Sequence, residues 1–262
     1  MNLSEARHAF VTGGASGIGL GIVDALAKRG IPVTIADIDA DTLASVVGTR
    51  GNSVRGAVLD TRDREGWQRV KAEAEAAFGP VDILVNNAGI APNGKPFTEM
   101  DPESFDRIVA INLVGIYNGV WAFAGDMAAR GRGHIVNTSS QAGLMTTVPG
   151  VGAYSVAKFG VTALSEALRT ELAPQGVGVT ALFPGYVQTN LAANTQKVGG
   201  DIRKYSSVVM TSDVTPVHVG EMVAEAIERD DSYIVTHTGV WTGVEKRFDA
   251  IKAACDFREQ AA

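Results

Sequence analysis

Apolar positions along the chain follow two periods in turn. Short runs at 8–12, 32–36, 54–59, 81–85, 134–138 and 177–183 are apolar at nearly every position, which reads as strands covered on both faces. Between them, apolar residues recur at helical spacing. Residues 17–29 carry Ile18, Ile22 and Leu26 on one face, and a second helix opens near Asp39. Further helices are predicted over 64–78, stopped by Gly79 and Pro80, over 102–129, over 153–172 before Pro174, and over 215–228, with a last short strand at 233–236. Buried strands alternating with amphipathic helices imply a parallel sheet with helices on both faces. Right-handed crossovers then give a doubly wound α/β sheet of the Rossmann type, one domain over residues 1–262. The stretch 187–212 breaks the pattern. It is polar, contains Gly199 and Gly200, and is weakly periodic, so it is expected to act as a substrate lid with Leu191, Val198, Ile202, Tyr205, Val208, Val209 and Met210 closing over a ligand.

Composition narrows the partners. Of 262 residues 45% are hydrophobic, enough for a sizeable core, and the formal net charge of −6 does not suit nucleic acid or an anionic membrane. No run of 18 apolar residues suggests a membrane span, and residues 1–8 lack the apolar core of a signal peptide. A single cysteine, Cys255, cannot form an internal disulfide and fits a reduced thiol, so a cytoplasmic setting is expected. The four histidines show no metal-ligand spacing, and His218 and His237 lie far from every motif in sequence.

The chemistry begins at the first strand–helix turn, Thr12-Gly13-Gly14-Ala15-Ser16-Gly17-Ile18-Gly19. Glycines there let the backbone turn sharply and approach a pyrophosphate, and the helix start offers free N–H groups and a positive dipole end. Alone, such a turn is also a plain connection. Tyr154 and Lys158, at i and i+4 on a predicted helix, share a face, as many surface pairs do.

The spacing T-G-x-x-x-G-x-G resembles the short-chain dehydrogenase/reductase family. Asn86-Asn87-Ala88-Gly89, Asn112, Ser140, Tyr154-Ser155-Val156-Ala157-Lys158 and Pro184-Gly185 follow in the family's order, so the resemblance covers about residues 9–233. It implies NAD-type cofactor binding by Gly13, Ser16, Gly17, Ile18 and Gly19, with Asn87, Ala88 and Gly89 lining the cleft. By the same resemblance Pro184, Gly185, Val187 and Thr189 meet the nicotinamide end, and Lys158 holds the nicotinamide ribose. Tyr154 is then the acid/base, Lys158 its activator, Ser140 the holder of the substrate oxygen, and Asn112 a relay support through an ordered water. Ser139 reads as structural. A free tyrosine has a pKa near 10, and a neighbouring ammonium favours the phenolate.

Asp37 ends the second strand, where a carboxylate can accept both adenosine-ribose hydroxyls and repel a 2′-phosphate. No Lys or Arg stands in the glycine turn or directly after Asp37, so NAD is favoured over NADP. Helix capping is the plainer role for an Asp at this point, and Asp39 is better placed for it. Asp60 is implied to meet the adenine, beside Thr61, which also reads as a turn residue. The expected reaction is hydride transfer between NAD(H) and a secondary alcohol or ketone. Leu144, Met145, Val148 and Val151 suggest a hydrophobic or aromatic substrate, and the stretch 233–248 resembles family members acting on bulky aryl alcohols. The alternatives are an NADP(H) carbonyl reductase and a catalytically silent dinucleotide sensor. The family commonly pairs its long helices between subunits, so a homodimer or homotetramer is expected, with Phe123, Leu164 and Leu168 on the contact face.

Overall fold

The computed structural model describes residues 1–146, 148–200, 202 and 212–259. Strands β1 (Ala9–Thr12), β2 (Val33–Asp37), β3 (Val54–Val58), β4 (Ile83–Asn86), β5 (Gly133–Thr138), β6 (Val177–Phe183) and β7 (Tyr233–Val235) form one parallel sheet in the order β3-β2-β1-β4-β5-β6-β7. The helices are α1 (Gly17–Lys28), α2 (Ala40–Val47), α3 (Arg64–Phe78), α4 (Pro102–Val109), α5 (Gly115–Arg130), α6 (Gly152–Leu172), α7 (Leu191–Lys197), α8 (Pro216–Arg229) and α9 (Trp241–Glu259).

Successive side chains of a strand point to opposite faces, and here both faces are covered. Val11, Ile35 and Val85 pack with Ile22 and Leu26 of α1 and Val219 and Val223 of α8. Phe10, Leu84 and Ile135 pack on the other face with Trp67 of α3, Phe123 of α5 and Leu168 of α6. Each such side chain removed from water stabilises the fold by about 1.5–3 kcal/mol. This explains why the strands carry no polar alternation. The chain winds from β1 outward to β3, then crosses back to β4 on the other side of β1. Ligands of open α/β sheets sit in the crevice this reversal leaves at the carboxyl ends of the strands.

The long helix predicted over 102–129 runs from Pro102 to Arg130, but a π turn at Ala110–Val114 interrupts it around Asn112. It is long and apolar enough to span a membrane, yet 61% of its apolar window is buried inside the protein, so it serves as a core helix. Two helices were not legible beforehand. α7 lies within the weakly periodic stretch, and α9 carries Trp241, Val244, Phe248 and Ile251 at helical spacing. Tyr205, Val208, Val209 and Met210 of the expected lid lie outside the described residues.

The expected contact face needs correction. Phe123 and Leu168 are 1% and 8% exposed and Leu164 packs against the same cluster, so all three serve this chain's own core. The exposed apolar residues of these helices are Tyr117 and Trp121 on α5, Val114 just before it, and Val156 on α6.

Candidate active site

The turn after β1 and the end of β4 are stitched together. Thr12 Oγ1 accepts hydrogen bonds from the N–H groups of Asn87 and Ala88 at 2.9 and 3.1 Å, and Asn87 Nδ2 donates to the carbonyls of Thr12 and Gly13. A Cβ at Gly19 would lie 2.2 Å from the Gly13 carbonyl oxygen and 2.6 Å from Asn87 Nδ2, so only glycine permits this approach. Ser16 is the N-cap of α1 without a side-chain capping bond, so the first N–H groups of the helix have no side-chain cap where Ser16, Gly17 and Ile18 line the crevice. The donors suit a pyrophosphate.

At the adenosine end, Asp39 caps α2 by accepting from Thr42 N at 3.0 Å. Asp37 is thereby left to the crevice. Its two oxygens each accept one backbone N–H, from Ala15 and Asp39, at 3.1 Å, with lone pairs remaining for ribose hydroxyls. Thr61 is a locked turn. Its carbonyl accepts from Trp67 Nε1 and Asn118 Nδ2, both at 2.9 Å.

The absence of nearby cations in sequence does not hold in space. Arg62 grips Asp60 through contacts of 2.6–3.1 Å and holds its carboxyl below the ordinary range. Lys197, from α7, sits 2.6 Å from Asp39 and does the same there. Both cations line the cleft.

At the other end, Tyr154 and Lys158 stand one turn apart on α6. Lys158 is 3% exposed, its Nζ donates to the Thr138 carbonyl at 2.7 Å and lies 5.5 Å from the centre of the Tyr154 ring. Burial pushes the ammonium pKa down to about 7. Ser140 opens a short turn, accepting from Ala142 N at 3.1 Å, and lines the same cleft. Ser139 is structural as read: its hydroxyl donates to the Lys158 carbonyl at 2.8 Å.

Asn112 uses both ends of its carboxamide on one residue. Oδ1 accepts from Ile90 N at 2.9 Å and Nδ2 donates to Ile90 O at 3.1 Å. Its side chain therefore braces the turn after Gly89. A Cβ on Gly89 would lie 2.6 Å from Asn112 Oδ1 and 3.8 Å from Lys158 Nζ, so the bare backbone there is what lets the three groups crowd together.

Beyond β6, Val187 lines the cleft and Thr189 reaches the glycine turn, where its Cγ2 would lie 3.0 Å from a Cβ at Gly17. His237 is distant from the motifs in sequence but not in the fold. Its ring lies against Gly185, its carbonyl accepts from Gln141 Nε2 at 3.1 Å, and its Nε2 meets Ser212 Oγ at 2.8 Å. Every residue singled out from the sequence as catalytic or cofactor-binding lines one cleft partly open to solvent, except Gly19. Sequence reasoning missed Arg62, Lys197 and Asn194 on its wall.

A doubly wound sheet with a glycine turn at its switch point and a Tyr–Lys pair across the cleft defines a nucleotide-binding oxidoreductase. The short chain dehydrogenase model matches residues 7–198, and the chain belongs to the short-chain dehydrogenase/reductase family. It is 33% identical, over 94% of its length and 86% of the relative's, to a C alpha-dehydrogenase of Sphingobium sp. strain SYK-6. A short-chain dehydrogenase/reductase from Burkholderia phymatum in complex with NAD is similar over 97% of both chains, with a TM-score of 0.88 and 28% identity. An actinorhodin polyketide ketoreductase with NADPH is similar over 92% of this chain and 99% of its own, with a TM-score of 0.77 and 30% identity.

Proposed function

We propose that this oxidoreductase transfers hydride between NAD(H) and a secondary alcohol or ketone on a hydrophobic or aromatic substrate. The observation that carries the reading is the fully buried Lys158 ammonium beside the Tyr154 ring, in one cleft with Ser140 and the glycine turn. When bound, the nicotinamide supplies the hydride chemistry. The protein's own work is at the substrate oxygen. Tyr154 Oη gives a proton to the ketone oxygen in reduction or takes one from the alcohol in oxidation. Lys158 favours the phenolate by its charge, and Ser140 donates a hydrogen bond where negative charge develops on that oxygen. Asn112 holds the Ile90 turn and thereby the wall on which Lys158 and Gly89 meet.

Asp37 supports NAD. Its carboxylate is held by backbone N–H groups, whereas both neighbouring carboxylates, Asp39 and Asp60, are bonded to cations. One observation favours the NADP(H) reading instead: Lys197 and Arg62 stand on the same wall, where either can turn to a 2′-phosphate. The similarity to the NAD complex supports the first reading, and the similarity to the NADPH-bound ketoreductase supports the second. Leu144, Met145, Val148 and Val151 do not line the cleft; the apolar residues that do, among them Ile90, Ile111, Leu191 and Val198, are in keeping with an apolar substrate. The exposed stripe of Val114, Tyr117, Trp121 and Val156 supports a homodimer or homotetramer. The test is an absorbance screen of secondary alcohols with NAD⁺ and with NADP⁺. Turnover faster with NADP⁺ overturns the cofactor assignment, and no turnover with either, in both directions, overturns the function.

A further inference from the structure

The segment that follows the nicotinamide-end strand crosses the cleft and fastens to the adenosine end. α7 is seven residues, about 10 Å long at 1.5 Å per residue. It begins just after Thr189, which lies against Gly17, and ends at Lys197, bonded to Asp39 from 158 positions away in sequence. Among its residues only Thr195 is buried. Its seat therefore rests on a few polar contacts in place of a hydrophobic face. Thr195 Oγ1 accepts from Ala91 N at 2.9 Å, and Val198 packs against the small cluster of Ile90, Ile108 and Ile111. Arg107 donates to the Gly199 carbonyl just beyond the helix. These fix one side. On the opposite side, across the cleft, Asn194 Nδ2 donates to Ser16 Oγ at 3.0 Å and Lys197 meets Asp39 at 2.6 Å. Ser16 belongs to the pyrophosphate turn and Asp39 to the turn after Asp37, so both anchors are cofactor-binding loops.

The geometry points to Lys197 as a cofactor-retaining residue that acts through Asp39: their ion pair ties α7 across the dinucleotide cleft and must open before the cofactor leaves. The inference rests on the reading that this cleft takes a nicotinamide dinucleotide. A ligand extended from Asp37 to Val187 would pass Leu191, Asn194 and Lys197 of α7, which line the same cleft, and the pair with Asp39 stands at its Asp37 end. Arg62, the other cation on this wall, is engaged by Asp60 and competes little for Asp39. Lys197 and Asp39 side chains are 58% and 24% exposed, so water reaches the pair and a modest effect is expected.

The test measures NADH dissociation by stopped-flow fluorescence in wild type, Lys197→Ala, Asp39→Asn and the double variant. Asparagine still caps α2, so Asp39→Asn removes charge without removing the cap. Each single variant is expected to release NADH about three- to fivefold faster, the upper part of what an exposed ion pair supplies. The double variant should be no faster than the singles, Lys197→Arg should keep the wild-type rate, and 0.5 M salt should erase most of the difference. Unchanged rates in both singles overturn the latch. Effects that multiply in the double variant overturn it as well, because they mean Lys197 touches the cofactor directly. If the wild type binds neither NADH nor NADPH, it is the cofactor reading that fails, a separate result; if it binds NADPH more tightly, the same cycle is run with NADPH.

Discussion

Replacing Lys158 with methionine separates what the buried ammonium costs from what it does. Lys158 has its pKa lowered from 10.5 to about 7 by burial. The folded value lies below the unfolded one, so between about pH 7 and 10.5 the unfolded chain holds a proton that the folded chain has released. Stability therefore rises with pH through that window, by about 1.4 kcal/mol per unit from this one group. The difference, 10.5 − 7, is 3.5 units, so the whole burden below pH 7 is about 5 kcal/mol, and about 4 kcal/mol of it acts at pH 7 itself. Methionine keeps most of the stem and removes the charge. It also leaves the Thr138 carbonyl without its 2.7 Å donor, a loss of about 1–3 kcal/mol that does not vary with pH.

The variant is therefore expected to be more stable than wild type by about 1–3 kcal/mol at pH 7 and to lose that advantage as pH rises. Urea unfolding of the ligand-free protein at pH 7.5, 8.5 and 9.5 checks it. Both proteins are compared in a Tyr154→Phe background, because the phenol beside Lys158 responds to its charge; other groups that titrate in this range are common to both and cancel in the difference. The stability gap should shrink by about 2–3 kcal/mol over those two units. Parallel curves for the two proteins would refute the reasoning, since they would mean that the folded and unfolded lysines titrate alike. Turnover of Lys158→Met alone should be abolished, which shows why so costly a charge is kept at this position.

Tyr154→Phe removes the transferable proton and leaves the ring; turnover should drop about 10²–10⁴-fold with NADH affinity nearly unchanged, and more than a tenth of wild-type turnover would sink the assignment. Asp37→Ala should lower the ratio of kcat/KM for NAD⁺ over NADP⁺ at least tenfold, or ~1.4 kcal/mol; an unchanged ratio makes Asp37 a backbone acceptor only. Trp121→Glu places a charge in the exposed stripe with Tyr117 and should shift light scattering at micromolar concentration toward the monomer, while a wild type that is already monomeric removes the interface.

The strands and the cleft-lining motifs were legible because each announces itself locally. β1 and β4 are apolar at nearly every position, and the glycine turn, Asn87–Gly89, Tyr154–Lys158 and Pro184–Gly185 each follow or face a strand end of that sheet. α7 was not legible for the opposite reason. With Thr195 alone buried, nothing in 191–197 repeats at helical spacing, and the helix is positioned by partners elsewhere in the chain. The contact face on α5 failed in a third way. Ile116, Val120 and Phe123 are buried while Tyr117 and Trp121 are exposed, so the helix is apolar on nearly all sides and periodicity cannot say which side meets the core. Cofactor choice shows the deepest limit of reading locally. Counting charges beside Asp37 found only carboxylates, yet folding delivers Lys197 to Asp39 and Arg62 to Asp60. The proposal of NAD rests on a different ground. Two carboxylates of that wall are bonded to cations, whereas Asp37 accepts hydrogen bonds from two backbone N–H groups, so under that proposal discrimination against a 2′-phosphate depends on which carboxylate is left without a bonded cation and not on how many stand there.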